Sequence, residues 1–138
     1  MRLGKNTKVE LIKRAPLFAH CSKGELAEVA SIADELDLPE GRELIREGER
    51  GREFFVLLEG EATVTRNGEQ ISTMRSGDFF GEIALVSDAP RTATVTTLTP
   101  VRVLVVTDRA FKSLLEGMPG IQLKVLQALA ERLAPQTL

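Results

Sequence analysis

One short segment, residues 79–95, places an acidic and a basic side chain in a setting suited to binding an anion. Glu82 and Arg91 lie nine positions apart, on either side of a short apolar stretch. Gly81 has no Cβ, so its backbone can take unusual angles or approach a ligand closely. Pro90 fixes φ directly before Arg91, whose planar guanidinium matches the geometry of a phosphate. The segment therefore predicts a pocket that receives a phosphate at Arg91 and a hydroxyl-bearing sugar at Glu82.

Small and apolar residues next to this acid and base would bring backbone amides to the same anion. Ile83, Ala84 and Leu85 are expected to form one helical turn, whose N–H groups carry a partial positive charge. Thr92 and Ala93 have small side chains, so their amides can also approach an oxyanion. These five residues therefore join Gly81, Glu82 and Arg91 as candidate ligand-binding residues.

The segment resembles the phosphate-binding cassette of the cyclic nucleotide-binding domain family. That family includes regulatory subunits of cAMP-dependent protein kinase, catabolite-activator-type regulators and cyclic-nucleotide-gated channels. The matching stretches are residues 80–85, FGEIAL, and residues 90–95, PRTATV. The resemblance implies that Glu82 binds the ribose 2′-hydroxyl and Arg91 the cyclic phosphate, with the amides around Ala84 and Ala93 assisting.

The choice between cAMP and cGMP depends on Thr92. Members of the family that prefer cGMP often have threonine at this position, where its hydroxyl can accept a hydrogen bond from the guanine 2-amino group. Bacterial-type cassettes that read Arg-Thr-Ala nevertheless commonly serve cAMP. The sequence therefore leads us to expect that cAMP binds at least as tightly as cGMP.

Two other interpretations stay open at the level of the sequence. In the first, Glu82 and Arg91 form a structural ion pair in a ligand-free barrel of the same fold, which acts by dimerisation through its last helix. In the second, the chain is a cupin-type enzyme, which needs several metal-binding histidines. His20 is the single histidine, so we expect a non-catalytic domain without a metal or other cofactor.

Periodicity in the rest of the chain predicts the elements that would position the cassette. Ser22 and Glu25 fit a capping box that starts a helix. Asn67-Gly68 is a strong hairpin signal between two alternating stretches. The predicted strands are apolar or alternating and cover residues 43–47, 54–59, 62–65, 70–74, 92–98 and 101–106, and two helices follow at residues 108–116 and 119–133.

Many short strands between turn signals indicate a sandwich or barrel. The resemblance narrows this to a mainly β fold with flanking helices, a jelly-roll β-barrel with N-terminal helices and two C-terminal helices. Residues 1–138 would form a single cyclic nucleotide-binding domain. Its helical N-terminus would cover about residues 6–36, its barrel about 37–107 and its C-terminal helices about 108–134.

The family's glycine pattern appears at Gly48, Gly51 and Gly60, between the first predicted strands. These glycines are expected to serve turns and not to contact the ligand. Glu49 and Arg52 stand where the family often has aspartates, which leaves a detail of the turn open.

The last predicted helix has an apolar stripe that includes Leu126, Leu129 and Leu133. The resemblance implies that this helix closes over the ligand and covers one face of the purine. Arg132 lies beside the stripe, where its guanidinium can either stack on the base or serve as a favourable charge near a helix C-terminus. We include Arg132 among the candidate ligand contacts.

Composition limits the partners. The 18 basic and 20 acidic residues give a net charge of −2, so neither a nucleic acid nor a membrane surface is expected. Cys21 is the single cysteine, which excludes an internal disulfide and favours a cytoplasmic location. The expected partners are a cyclic nucleotide and an effector, either another protein or a linked domain outside this chain. A homodimer through the C-terminal helix is the other assembly that the sequence allows.

Overall fold

The computed structural model describes residues 4–137, apart from the side chains of residue 5 and of residues 132–137. The helices are α1 (Lys5–Lys13), α2 (Lys23–Ser31), α3 (Asp108–Gly117) and α4 (Pro119–Thr137), with 3-10 turns at Pro16–Phe18 and Glu82–Leu85. The strands are β1 (Asp34–Leu38), β2 (Glu43–Ile45), β3 (Glu53–Glu59), β4 (Ala62–Arg66), β5 (Glu69–Met74), β6 (Phe79–Phe80), β7 (Thr94–Thr97) and β8 (Val101–Thr107). Arg132 and Leu133 lie outside the described side chains, so their expected contacts with a ligand stay predictions.

The described chain divides into two compact units, each with its own packing. The β unit is Asp34–Asp108, and the helical unit contains the chain up to Ala33 and from Arg109 onward. The mainly β character with flanking helices is confirmed. A single domain over residues 1–138 stays a prediction.

The β unit contains two antiparallel sheets of four strands each. Their strand orders are β1-β8-β3-β6 and β2-β7-β4-β5. The hydrogen-bonded pairs recorded for the described strands do not join one sheet to the other, so closure into a jelly-roll barrel stays a prediction.

The two sheets share an apolar core. Phe55 and Leu57 of β3 pair with Val105 and Val103 of β8 and point their side chains to the same side of their sheet. Residues of the other sheet, among them Ile45, pack against this cluster. Face-to-face burial of this kind holds the two sheets together and fixes which residues line the space between them.

The N-terminal helical region ends earlier than predicted, because strand β1 begins at Asp34. Helix α2 ends at Ser31, and Asp34–Leu38 is already a strand, although the sequence analysis extended the helical region to about residue 36. The segment DELDL contains only two apolar residues, so its own pattern is weak. Pairing with β8, from Asp34↔Val105 to Leu38↔Val101, supplies the hydrogen bonds that make it a strand.

Local signals elsewhere were read correctly. Ser22 and Glu25 form a reciprocal capping box at the start of α2. Asn67 and Gly68 both have positive φ, as a two-residue turn between β4 and β5 requires. In the helical unit Phe18 and Phe111 meet edge to face with ring centroids 5.7 Å apart. None of the helices that the structure describes is long and apolar enough to cross a bilayer.

Candidate phosphate-binding site

A cavity of about 550 Å³ in the β unit collects most of the predicted site residues. Both sheets contribute to its wall, through β6 on one side and β2, β4, β5 and β7 on the other. Seven of the predicted residues line it: Gly81, Glu82, Ile83, Ala84, Arg91, Thr92 and Ala93. Leu85 is fully buried and is not one of the lining residues, so it packs beneath the cassette.

The first half of the cassette is a tight turn, as the sequence predicted. Gly81 has φ +82°, a left-handed conformation that favours glycine, and the 3-10 turn follows at once. The Ala84 N–H donates to the Gly81 carbonyl at 3.1 Å within this turn. The amide of Ala84, which the resemblance had assigned to the ligand, therefore already has a partner inside the turn.

Arg91 is the most deeply buried cation of the cavity, with a side chain that is 8% exposed. Its Nη2 donates to the backbone carbonyl of Glu53 at 2.7 Å and lies 3.8 Å from the Glu53 carboxylate. Nη1 lies 3.5 Å from the Gly81 carbonyl. Burial lowers the pKa of Arg91, and the negative charge of Glu53 opposes that shift. Since an arginine stays protonated even so, the cavity wall contains a permanent buried positive charge.

The backbone of Arg91 is fixed as firmly as its side chain. Its N–H donates to the Glu49 carbonyl at 2.8 Å, and its carbonyl accepts from the Gly48 N–H at 2.9 Å. Gly48 itself has φ +86° and serves the turn that the sequence predicted. The β2–β3 connection thereby holds the second half of the cassette in place.

Two glycines make room for the guanidinium of Arg91. A Cβ on Gly51 would lie 2.6 Å from Arg91 Nε, and a Cβ on Gly81 would lie 2.5 Å from Arg91 Nη1. Real Cβ atoms do not approach other atoms so closely, so neither position accepts a larger residue unless the arginine moves. The sequence predicts only a turn at Gly51, because its contact with Arg91 spans 40 positions and has no local signal.

Glu82 lies in the same cavity wall and is 7% exposed. A carboxylate in such a position is retained only where it has hydrogen-bonding partners. The acid recorded beside Arg91 at 3.8 Å is Glu53, which the sequence analysis did not single out. The structure thus brings Glu82 and Arg91 to one cavity and adds a third charged residue next to the arginine.

The rest of the cavity wall is mostly apolar. Ile45, Val64, Met74 and Val95 come from four neighbouring strands and were not predicted as site residues. A mostly apolar wall with a few charged and polar groups suits a ligand that has a flat apolar part and a charged part. In the described part of the chain, no group of three His, Cys, Asp or Glu residues could hold a metal ion.

The sequence matches the family model described as "Cyclic nucleotide-binding domain" over residues 35–117, more than half of the chain. The chain belongs to the cyclic nucleotide-binding domain family. The resemblance read from the cassette is therefore confirmed.

Relatives and solved structures agree with this assignment. A cAMP-dependent protein kinase regulatory subunit of Mycosarcoma maydis is 43% identical over an alignment that covers 77% of this chain and 22% of that protein. The solved N-terminal domain of a transcriptional regulator from Streptomyces coelicolor A3(2) gives a TM-score of 0.81 at 30% identity, covering 91% of this chain and 94% of that one. A structure described as cAMP-bound PfPKA-R gives a TM-score of 0.66 at 27% identity, covering 92% of this chain and 46% of that one. The chain thus spans about a fifth of the length of its Mycosarcoma relative.

The seat of Arg91 generates a first prediction. Gly51→Ala should lower the free energy of unfolding by about 1–3 kcal/mol, because the new Cβ pushes the guanidinium off the Glu53 carbonyl and breaks a charged hydrogen bond. In an Arg91→Ala background the same substitution should cost about 0.5 kcal/mol or less, since nothing then occupies the space. Urea denaturation of the four proteins in this double-mutant cycle measures the coupling. Equal costs of Gly51→Ala in both backgrounds would contradict the assigned contact.

Proposed function

We propose that this domain is a non-catalytic sensor that binds a cyclic nucleotide, cAMP in preference to cGMP. The observation that carries the proposal is the buried, permanently charged guanidinium of Arg91 in the wall of a cavity that also contains Glu82. A cation in this position costs free energy unless it has anionic or polar partners, and a ligand phosphate is a stronger partner than the backbone carbonyls. The names of the relatives, which are cAMP-dependent kinase regulatory subunits, support the same ligand class.

In the proposed complex the phosphate, the ribose and the purine of the ligand each contact a different part of the cavity. The cyclic phosphate accepts hydrogen bonds from Arg91, where one oxygen replaces or joins the carbonyl of Glu53 as a partner. The ribose 2′-hydroxyl donates to Glu82. The purine lies against the apolar wall formed by residues such as Val64 and Val95. The cavity volume of about 550 Å³ falls in the usual range for small-molecule sites.

Arg91→Ala tests this proposal directly. A buried charged pair that loses one partner typically costs about 2–5 kcal/mol, so the variant should bind cAMP at least about 30-fold more weakly. Arg91→Lys should recover only part of the loss, because an ammonium lacks the planar pair of donors. Isothermal titration calorimetry gives the dissociation constants, with Arg75→Ala as a matched control that removes an exposed cation paired with Glu61.

Thermal unfolding tests the ligand class, and the same titrations test the base preference. At 100 times its dissociation constant, a true ligand should raise the free energy of unfolding of the unmodified chain by about 2.7 kcal/mol. The absence of such a shift with cAMP and with cGMP would exclude the proposed function and favour a ligand-free domain. A cGMP affinity ten-fold higher than that of cAMP would reverse the proposed base preference. An Arg91→Ala affinity within a few-fold of the parent would remove Arg91 from phosphate recognition.

Glu82 has its own prediction, based on the ribose hydroxyl. Unmodified protein should bind 2′-deoxy-cAMP about 5-fold or more weakly than cAMP, because one hydrogen bond to a charged acceptor is lost. Glu82→Ala should bind the two nucleotides almost equally, since the acceptor is already absent. Competition titration of both ligands against both proteins completes the cycle. Independent and additive losses would show that Glu82 acts elsewhere.

We also propose that nucleotide binding is transmitted through α4, whose apolar residues would order against the bound ligand. Leu123 and Leu126 are exposed, at 66% and 62%, and because they are three positions apart on one helix they lie next to each other on its surface. The competing use of this surface is dimerisation of a ligand-free domain, the alternative that the sequence left open. Either use would cover these two exposed leucines.

Hydrogen exchange distinguishes the two uses of α4. If ligand binding orders the helix, amide exchange in residues 125–133 should slow when saturating cAMP is added, and removal of residues 124–138 should weaken binding while the β unit stays folded. Sedimentation of the unliganded chain measures dimerisation in parallel. Exchange that does not change with cAMP would rule out the lid.

The downstream partner is proposed from the same comparisons. The Mycosarcoma and Neurospora relatives are named as kinase regulatory subunits, and this chain spans 22% and 33% of their lengths. We propose an effector that is either a separate protein or a linked domain, and a cytoplasmic location. Co-purification of the full natural gene product with its partners, with and without cAMP, tests the effector; fractionation of the same cells tests the location.

A further inference from the structure

A second arginine, Arg66 of β4, contacts the cassette through the backbone of Thr92. The ladder between β4 and β7 ends at the pair Thr65↔Thr94, so the two cassette residues before Thr94 lie beyond the last strand pair. Beyond that pair the side chain of Arg66 makes the next contact between β4 and the cassette, since its Nε donates to the Thr92 carbonyl at 2.9 Å. Arg66 is exposed to solvent and also lines the cavity.

This bond determines the direction of the next amide. The peptide between Thr92 and Ala93 is trans, so its carbonyl and its N–H point in opposite directions. Holding the carbonyl toward Arg66 therefore turns the Ala93 N–H away from Arg66. On the other side of the segment, the Arg91 backbone is held by Glu49 and Gly48.

Resting on the proposed function, we propose that Arg66 is a positioning residue for phosphate recognition, which acts by fixing the Thr92–Ala93 peptide so that the Ala93 N–H donates to a phosphate oxygen. Both residues of that peptide line the cavity, beside Arg91. On its β4 side the segment before β7 has no ladder pair, because the pairing of β4 with β7 ends at Thr65↔Thr94. Without Arg66 the peptide can rotate, and a preorganised donor is lost even though Arg91 stays in place.

Substitution of Arg66 separates positioning from folding. Arg66→Ala and Arg66→Met, neither of which can donate to the Thr92 carbonyl, should each weaken cAMP binding by about 10-fold or more, which corresponds to one hydrogen bond to a charged group. Arg66→Lys should bind within about 3-fold of the parent, since an ammonium on a long stem can also donate to the Thr92 carbonyl. Arg75→Ala, which removes an exposed cation that is not among the lining residues, should have no effect.

Sulfur substitution in the ligand phosphate tests whether Arg66 acts on phosphate recognition. A purely structural role of Arg66 would affect the binding of cAMP and of both analogues equally. The two phosphorothioate diastereomers of cAMP each replace one exocyclic phosphate oxygen by sulfur, a weaker acceptor. If the Ala93 amide binds one of these oxygens, the cost of Arg66→Ala should fall at least 3-fold for one diastereomer and stay unchanged for the other. Titration calorimetry of the parent and Arg66→Ala with cAMP and both analogues measures this.

The outcomes distinguish this inference from the proposed function. If the parent chain binds cAMP and Arg66→Ala binds it within 2-fold, or loses equally with cAMP and both analogues, the inference is overturned while the proposed function stands. If the parent binds no cyclic nucleotide, both are overturned. In unliganded Arg66→Ala we expect faster amide exchange within residues 91–94 and an unchanged unfolding midpoint, because the hydrogen bond from Arg66 to the Thr92 carbonyl is lost. Unchanged exchange would contradict the inference.

Discussion

The buried guanidinium of Arg91 is the constraint on which the β unit depends. A charge that is 8% exposed must have polar partners, and here the Glu53 carbonyl and carboxylate provide them. The space it fills exists only because Gly51 and Gly81 have no Cβ. Burial lowers the pKa of this arginine, but not far enough to remove its charge. The turn before β3 and the cassette turn are therefore coupled through one side chain.

The two sheets place this local arrangement in the wall of a cavity, the candidate ligand site. Their shared core fixes the distance between β6 on one sheet and β2, β4 and β7 on the other, and the cavity is the part of that space which apolar side chains do not fill. The cassette contributes the charged residues Glu82 and Arg91 to the cavity wall, and strand residues such as Ile45 and Val64 contribute apolar side chains. A ligand that is anionic at one end and flat at the other matches both.

The helical unit is held together by different contacts. The Lys124 ammonium binds the Glu25 carboxylate, which also completes the capping box with Ser22, and this contact holds the pKa of Glu25 below its usual range. One carboxylate thus serves the start of α2 and the side of α4. On the same helix Leu123 and Leu126 are exposed, one directly before Lys124 and the other two residues after it.

The sequence by itself determined the features that depend on neighbouring residues: the capping box at Ser22, the Asn67-Gly68 turn, the freedom of the Gly81 backbone and the grouping of Glu82 with Arg91. Their physics is local, since φ, hydrogen bonds within a turn and short spacings are properties of a few consecutive residues. Only the tertiary structure decided that DELDL is a strand. It alone showed that Gly51 seats Arg91, and that Arg66 holds the cassette from β4. Those contacts join residues 26 to about 70 positions apart, and no periodicity or composition specifies which distant backbone a strand or a guanidinium will meet.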